Sequence, residues 1–101
     1  MAITYDRAKS ARNEELRGIS FERANHFNWS TALVAEDKRK DYEEVRYQAL
    51  GEIERRLHML VFTPRGIDVH VISLRKANAR ERRRYASQSS PRTDRRRSPG
   101  S

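Results

Sequence analysis

The chain has 101 residues, of which 36% are charged, with no cysteine and a formal net charge of +8. Mean hydropathy is −1.01, so there is room for one domain around a thin core. The composition excludes disulfides and thiolate sites, and no apolar run is long enough for a membrane-spanning helix. The opening MAITYDRAKS lacks the apolar run of a signal peptide, which favours a cytoplasmic location.

Residues 3–5 suit a short strand. Asp6 is placed to cap a helix over 6–17, with Ala8, Ala11 and Leu16 as its sparse apolar side and Gly18 as its stop. Ser20 caps a second, shorter helix in which Phe21, Ala24 and Phe27 fall at helical spacing. Thr31 to Ala35 reads as a strand, and 36–41 as a polar turn. Residues 42–50 alternate as a third strand, with Glu44, Arg46 and Gln48 on one face. Residues 51–56 are expected to form a loop. Leu57 to Thr63 forms an apolar strand, Pro64-Arg65-Gly66 a tight turn, and Ile67 to Leu74 a strand apolar on both faces. The short connections predict an antiparallel meander. Asn78 and Glu81 make a capping box for a last helix over 79–86. The expected fold is α+β: a small antiparallel sheet with two N-terminal helices and one C-terminal helix. Residues 1–86 form the domain, and 87–101 a disordered basic tail without apolar anchors.

Charge is distributed unevenly. Residues 1–64 are formally neutral, 65–85 carry +5 and 86–101 carry +3. A one-sided field of this kind attracts a polyanion, and nucleic acid is the expected partner. There is no glycine-rich phosphate loop, nucleophile elbow or closely spaced histidine pair, so neither a metal nor another cofactor is expected. Glu44 and Arg46, at i and i+2, present a carboxylate and a guanidinium side by side; a solvated surface pair is the plainer reading. The stretch IDVHVISLRKANARERRRY (67–85) joins an apolar strand to a basic helix. There Arg75 and Lys76 leave the strand, while Arg80, Arg83 and Arg84 crowd a helix with almost no apolar stripe, so it suits a phosphate backbone or an acidic partner. Tyr85 either stacks on a base or anchors the helix. His70, between two valines, is either a packed residue or a proton carrier near neutral pH.

The segments ITYDRAKSARN, RGISFERA, EVRYQALG and VFTPRGIDVHVISLRKANARERRRY, spanning about residues 3–85, resemble the BrnT toxins of bacterial type II toxin–antitoxin systems. Two positions depart from the family pattern: Leu16-Arg17 stand where many relatives have Lys-His, and His70 where many have Arg. The resemblance implies a RelE-like fold and metal-independent RNA cleavage that blocks translation. It also implies neutralisation by a BrnA-type antitoxin, with operator DNA contacted only through that antitoxin. Cleavage without metal needs a base for the 2′-hydroxyl, an acid for the leaving oxygen and cations for the phosphorane. The candidates are Glu44 as base, Arg46, Arg65 and Arg75 as cations, and His70 or Tyr85 as acid. Lys76, Arg80, Arg83 and Arg84 are candidate RNA contacts. The competing reading is a non-catalytic RNA-binding or ribosome-associated module; a DNA-binding repressor fits less well, since the first two helices carry little net charge.

Overall fold

The computed structural model describes residues 1–89. The elements are β1 (Ile3–Thr4), α1 (Arg7–Arg17), 3₁₀ segments at Phe21–His26 and Trp29–Thr31, β2 (Leu33–Glu36), β3 (Tyr47–Ile53), β4 (Arg56–Arg65), β5 (Asp68–Lys76) and α2 (Ala79–Ser89). The strands form one five-stranded sheet in the order β1-β5-β4-β3-β2. The class is α+β as expected, but the sheet is mixed: β1 runs parallel to β5, while all other pairs are antiparallel. Among the described residues no helix is long and apolar enough to cross a membrane.

Several expected boundaries are corrected. The second helix is a six-residue 3₁₀ segment, not an α-helix. The third strand begins at Tyr47, so 42–46 is a loop, and it continues to Ile53 where a loop was expected. It turns through two residues only, Glu54 and Arg55, both at positive φ (51° and 67°). Two successive positive φ values suit the twist of a tight hairpin. The next turn is Gly66-Ile67, with Gly66 at φ 62°. Pro64 lies within β4, opposite Val69. Val69 sends its amide to Ala2 O, away from β4. The imide of Pro64 therefore faces the side where β3 has already ended, so no ladder bond is lost. Helix α2 runs to Ser89, past the expected tail boundary at residue 87. The rest of the expected tail, 90–101, lies outside the described residues.

Both sheet faces are used. On one, Ala49, Ile53, Leu60, Phe62, Val69, Val71 and Leu74 pack against Ile19, Phe21, Ala24 and Phe27. A β-bulge keeps that face continuous: Phe62 pairs with Val71 and Val61 with Ser73, leaving Ile72 as the extra residue. Gly51 in β3 meets the Phe27 ring so closely that a methyl group there would collide with it. On the other face Leu50, Met59, Val61, Leu33, Leu57 and Ile72 pack beneath Ala77 and Tyr85 of the C-terminal segment.

Polar contacts seat both helices, beside the apolar packing of Tyr85 in α2. The residues of α1 that point inward are Ser10 and Asn13, and the expected apolar residue Leu16 is 75% exposed. Asn13 Nδ2 donates to Ile19 O (2.8 Å) and Leu74 O (2.9 Å), while Ser10 Oγ accepts from Phe21 N (2.8 Å). In α2 the buried contact is Glu81. Its carboxylate accepts a two-pronged bond from Arg75 (2.8 and 2.9 Å) and a third from Asn78 N (3.0 Å).

Candidate active site

The second sheet face has a covered half under α2 and a polar half near the β4–β5 turn. In the polar half, Thr63 pairs with His70 and Arg65 with Asp68. Strand alternation puts Thr63, Arg65 and His70 on one side, because Phe62, Val69 and Val71 occupy the other. Loop 42–46 crosses here: Thr63 Oγ1 donates to Val45 O (2.7 Å), and Arg65 Nη2 donates to Glu44 Oε1 (3.0 Å). Glu44 and Arg65 are each about half-exposed.

Loop side chains hold that crossing in place. The buried Asp37 carboxylate accepts from Arg39 Nε (2.8 Å), Arg39 Nη2 (2.7 Å), Arg39 N (3.2 Å) and Tyr42 Oη (3.2 Å). The Arg39 fork holds its pKa far below the usual carboxylate range. The Arg46 guanidinium lies over the Tyr42 ring, 4.2 Å from its centroid, a cation–π contact that orients it without neutralising it.

His70 Nδ1 is 2.8 Å from Thr4 Oγ1 on neighbouring β1. Its pKa is pushed below the ordinary histidine value, first by burial, then by Arg65, with Glu44 opposing. Glu44 is held below its ordinary value, chiefly by the hydrogen bond from Arg65. At neutral pH the cluster therefore holds a charged carboxylate, a guanidinium and a neutral imidazole. Such a set accepts a proton at one position and stabilises phosphate charge at another.

Glu44, Arg65 and His70 thus stand together, with Arg46 acting on Glu44 from the same loop. The remaining candidates lie elsewhere. Arg75 is committed to Glu81. Tyr85 sits on α2 and donates to Thr31 O (3.2 Å), which anchors the helix to the 3₁₀ segment. Arg80, Arg83 and Arg84 are exposed on α2, and Arg84 borders a cavity of about 410 Å³ with Ala32, Leu33, Val34, Ala35, Gln48 and Gln88. Lys76, next to Arg75 in sequence, lines a different cavity with His58. Thr4, Thr63 and Asp37 support the cluster and were not singled out from sequence; only strand pairing and a loop crossing bring them there. Among the described residues no group of three or more His, Cys, Asp or Glu side chains is placed to hold a metal ion.

A family model described as the ribonuclease toxin, BrnT, of type II toxin–antitoxin systems matches residues 5–81. Comparison with curated proteins and with solved structures returns no match.

Proposed function

The chain belongs to the BrnT family of ribonuclease toxins, and from that premise we propose that it cleaves RNA in the cytoplasm at the Glu44–Arg65–His70 cluster. The observation that carries this reading is the ion pair of Glu44 and Arg65 beside a histidine whose pKa is lowered. The α+β arrangement is consistent with the RelE-like fold that the resemblance implies.

In this reading neutral His70 takes the 2′-hydroxyl proton, and the nearby Glu44 carboxylate stabilises the imidazolium that forms. The 2′-oxygen then attacks phosphorus and the bond to the 5′-oxygen breaks. Protonated His70 returns a proton to that leaving oxygen. Arg65 and Arg46 hold the charge that builds on the phosphorane, through bidentate bonds that a guanidinium makes to phosphate oxygens. The chemistry assigns no role to a divalent ion, so cleavage is expected to persist in EDTA. Arg75 and Tyr85 take positioning roles: one fixes α2 to β5, the other fixes it to the segment before β2.

Cleavage of a defined RNA tests this. Arg65→Ala and His70→Ala should each lower the rate by roughly 10²–10³, while Arg12→Ala, on the exposed side of α1, should not. The rate should fall on acidification as His70 charges, at or below the ordinary histidine pKa, and that limb should vanish in His70→Ala. Full rates in both cluster variants would reject the site; no RNA turnover by the parent chain would reject the activity.

We further propose that an antitoxin of the BrnA type silences the chain by covering α2, and that operator DNA is reached only through it. The exposed arginines of α2 and the adjoining cavity favour an acidic segment. Charge reversal at Arg80, Arg83 and Arg84 should weaken that complex at moderate salt without changing thermal stability. Unchanged affinity would reject this face.

A further inference from the structure

At the far end of β4 from the candidate active site, and on the opposite sheet face, is a cavity of about 340 Å³ lined by Gly18, Ile19, Arg23, Ile53, Glu54, Arg56, His58 and Lys76. His58 and Arg65 are seven residues apart on one strand, roughly 20 Å or more. Alternation separates the faces as well: His58 borders this cavity with Ile53 of the first core, whereas Arg65 lies on the second face. An RNA phosphate held at the Glu44–Arg65–His70 cluster therefore does not reach it.

Three independent pieces of backbone deliver cations here: Arg23 from the first 3₁₀ segment, Arg56 from β4, and Lys76 from the end of β5, opposite His58 in register. The one carboxylate of the lining, Glu54, is 71% exposed and paired with Arg23. Arg56 and Lys76 have no carboxylate partner among the described residues. Ile19 and Ile53 form an apolar part of the lining. His58 is only 6% exposed. Its Nδ1 lies 2.7 Å from Arg56 O; a carbonyl only accepts, so Nδ1 carries the proton and Nε2 is left as the free ring atom. Among the described residues Nε2 has no partner. The cations around a concave wall suit an anion, and the unpartnered Nε2 can take up a proton and donate to it. Burial pushes the His58 pKa down against the opposing hydrogen bond to Arg56 O, and the charges of Arg23, Lys76 and Arg56 lower it further; Glu54 is the only acidic group facing it from this lining.

We propose that this cavity is a second phosphate-binding site, in which Arg56, Lys76 and Arg23 grip the phosphate oxygens and His58, taking up a proton at Nε2 as the anion binds, donates from that atom to a phosphate oxygen. The phosphate belongs either to an RNA strand outside the cleaved step or to a free nucleotide; both present the same dianionic or monoanionic oxygens. The site does not depend on the cleavage reading, because binding is measured without turnover.

The test uses the full chain with three probes: inorganic phosphate, AMP and a 2′-O-methyl oligonucleotide, which lacks the reactive 2′-hydroxyl. The Arg56→Ala/Lys76→Ala variant is compared with Arg7→Ala/Arg12→Ala, which removes the same charge from the exposed side of α1. The first should lose roughly tenfold or more in phosphate affinity, as expected for deleted charge-assisted bonds, and the second much less. Phosphate should also raise the His58 titration midpoint seen by NMR, in the parent chain and the control variant alike. Oligonucleotide displacing phosphate identifies the RNA backbone as the source; AMP displacing it where oligonucleotide does not identifies a nucleotide. Equal losses in the two variants, or a His58 midpoint indifferent to phosphate, would overturn the site. Cleavage by the same variants, scored beside His70→Ala, reports separately on the active-site reading.

Discussion

Asn13 illustrates how single polar residues hold this thin-cored chain together. Its amide reaches two carbonyls, one on the segment after α1 and one on β5, and it is 9% exposed. Asn13→Ala leaves both carbonyls without that donor in a place water reaches poorly, a loss of about 2 kcal/mol. Asn13→Asp should be no better, since a carboxylate cannot donate. Gly51→Ala acts by shape alone: the new methyl meets the Phe27 ring, and overpacking of this sort costs about 1–3 kcal/mol. Thermal melts check both, with Leu16→Ala, exposed on α1, as the near-neutral reference. A pH effect belongs to the same scale. His58 has a lowered folded pKa, so the unfolded chain binds protons more readily. Its contribution is intact above the unfolded value near 6.5 and declines as pH falls through the folded value. His58→Gln should flatten that part of the stability–pH curve; an unchanged slope would remove His58 from the account.

At the scale of elements, the capping box is a test of local logic. Glu81 N donates to Asn78 Oδ1 (2.8 Å) and Asn78 N to Glu81 Oε1 (3.0 Å). The pair was legible in sequence because its spacing is fixed by the helix itself. Asn78→Ala should cost about 1 kcal/mol, seen as a lower Tm. The apolar strand β5 was legible for a similar reason, being flanked by valines and isoleucine on both faces. The start of β3 was not. Residues 42–46 alternate as a strand would, yet Tyr42 is bonded to Asp37 and Arg46 stacks on Tyr42, so local side-chain bonds replace the ladder. The β3–β4 turn was missed because Glu54 and Arg55 carry none of the usual turn signals at their positive φ. That makes a prediction in the stabilising direction: Arg55→Gly relieves a left-handed backbone and should raise stability by about 0.5–1 kcal/mol. A lower melting temperature would show that the Arg55 side chain contributes something the backbone argument omits. Of the candidate site, Glu44, Arg65 and His70 were named from residue type, but their grouping comes from the β4–β5 register and a loop crossing that no local pattern encodes.

For the whole molecule, charge and fold divide the work. The first 64 residues are neutral, and the excess lies from Arg65 onward; the sheet then spreads that excess over opposite faces. Arg65 joins the candidate active site, Arg80, Arg83 and Arg84 project from α2, and Lys76 turns into the cavity with His58. Polyanion binding should therefore combine a strongly salt-dependent part, from exposed cations, with a part that survives salt, from the partly enclosed sites. Removing residues 90–101 takes away four arginines and one aspartate, lowering the formal charge from +8 to +5. Affinity for a 2′-O-methyl oligonucleotide should drop at low salt, and the slope of log affinity against log salt should become shallower. Cleavage at saturating RNA should stay unchanged, because the candidate active site is built entirely before residue 71. A slope identical to that of the full chain would mean that the terminal arginines do not approach the phosphates. A fall in the saturated rate would mean that they reach the active site itself, and would make the terminal segment part of the catalytic surface.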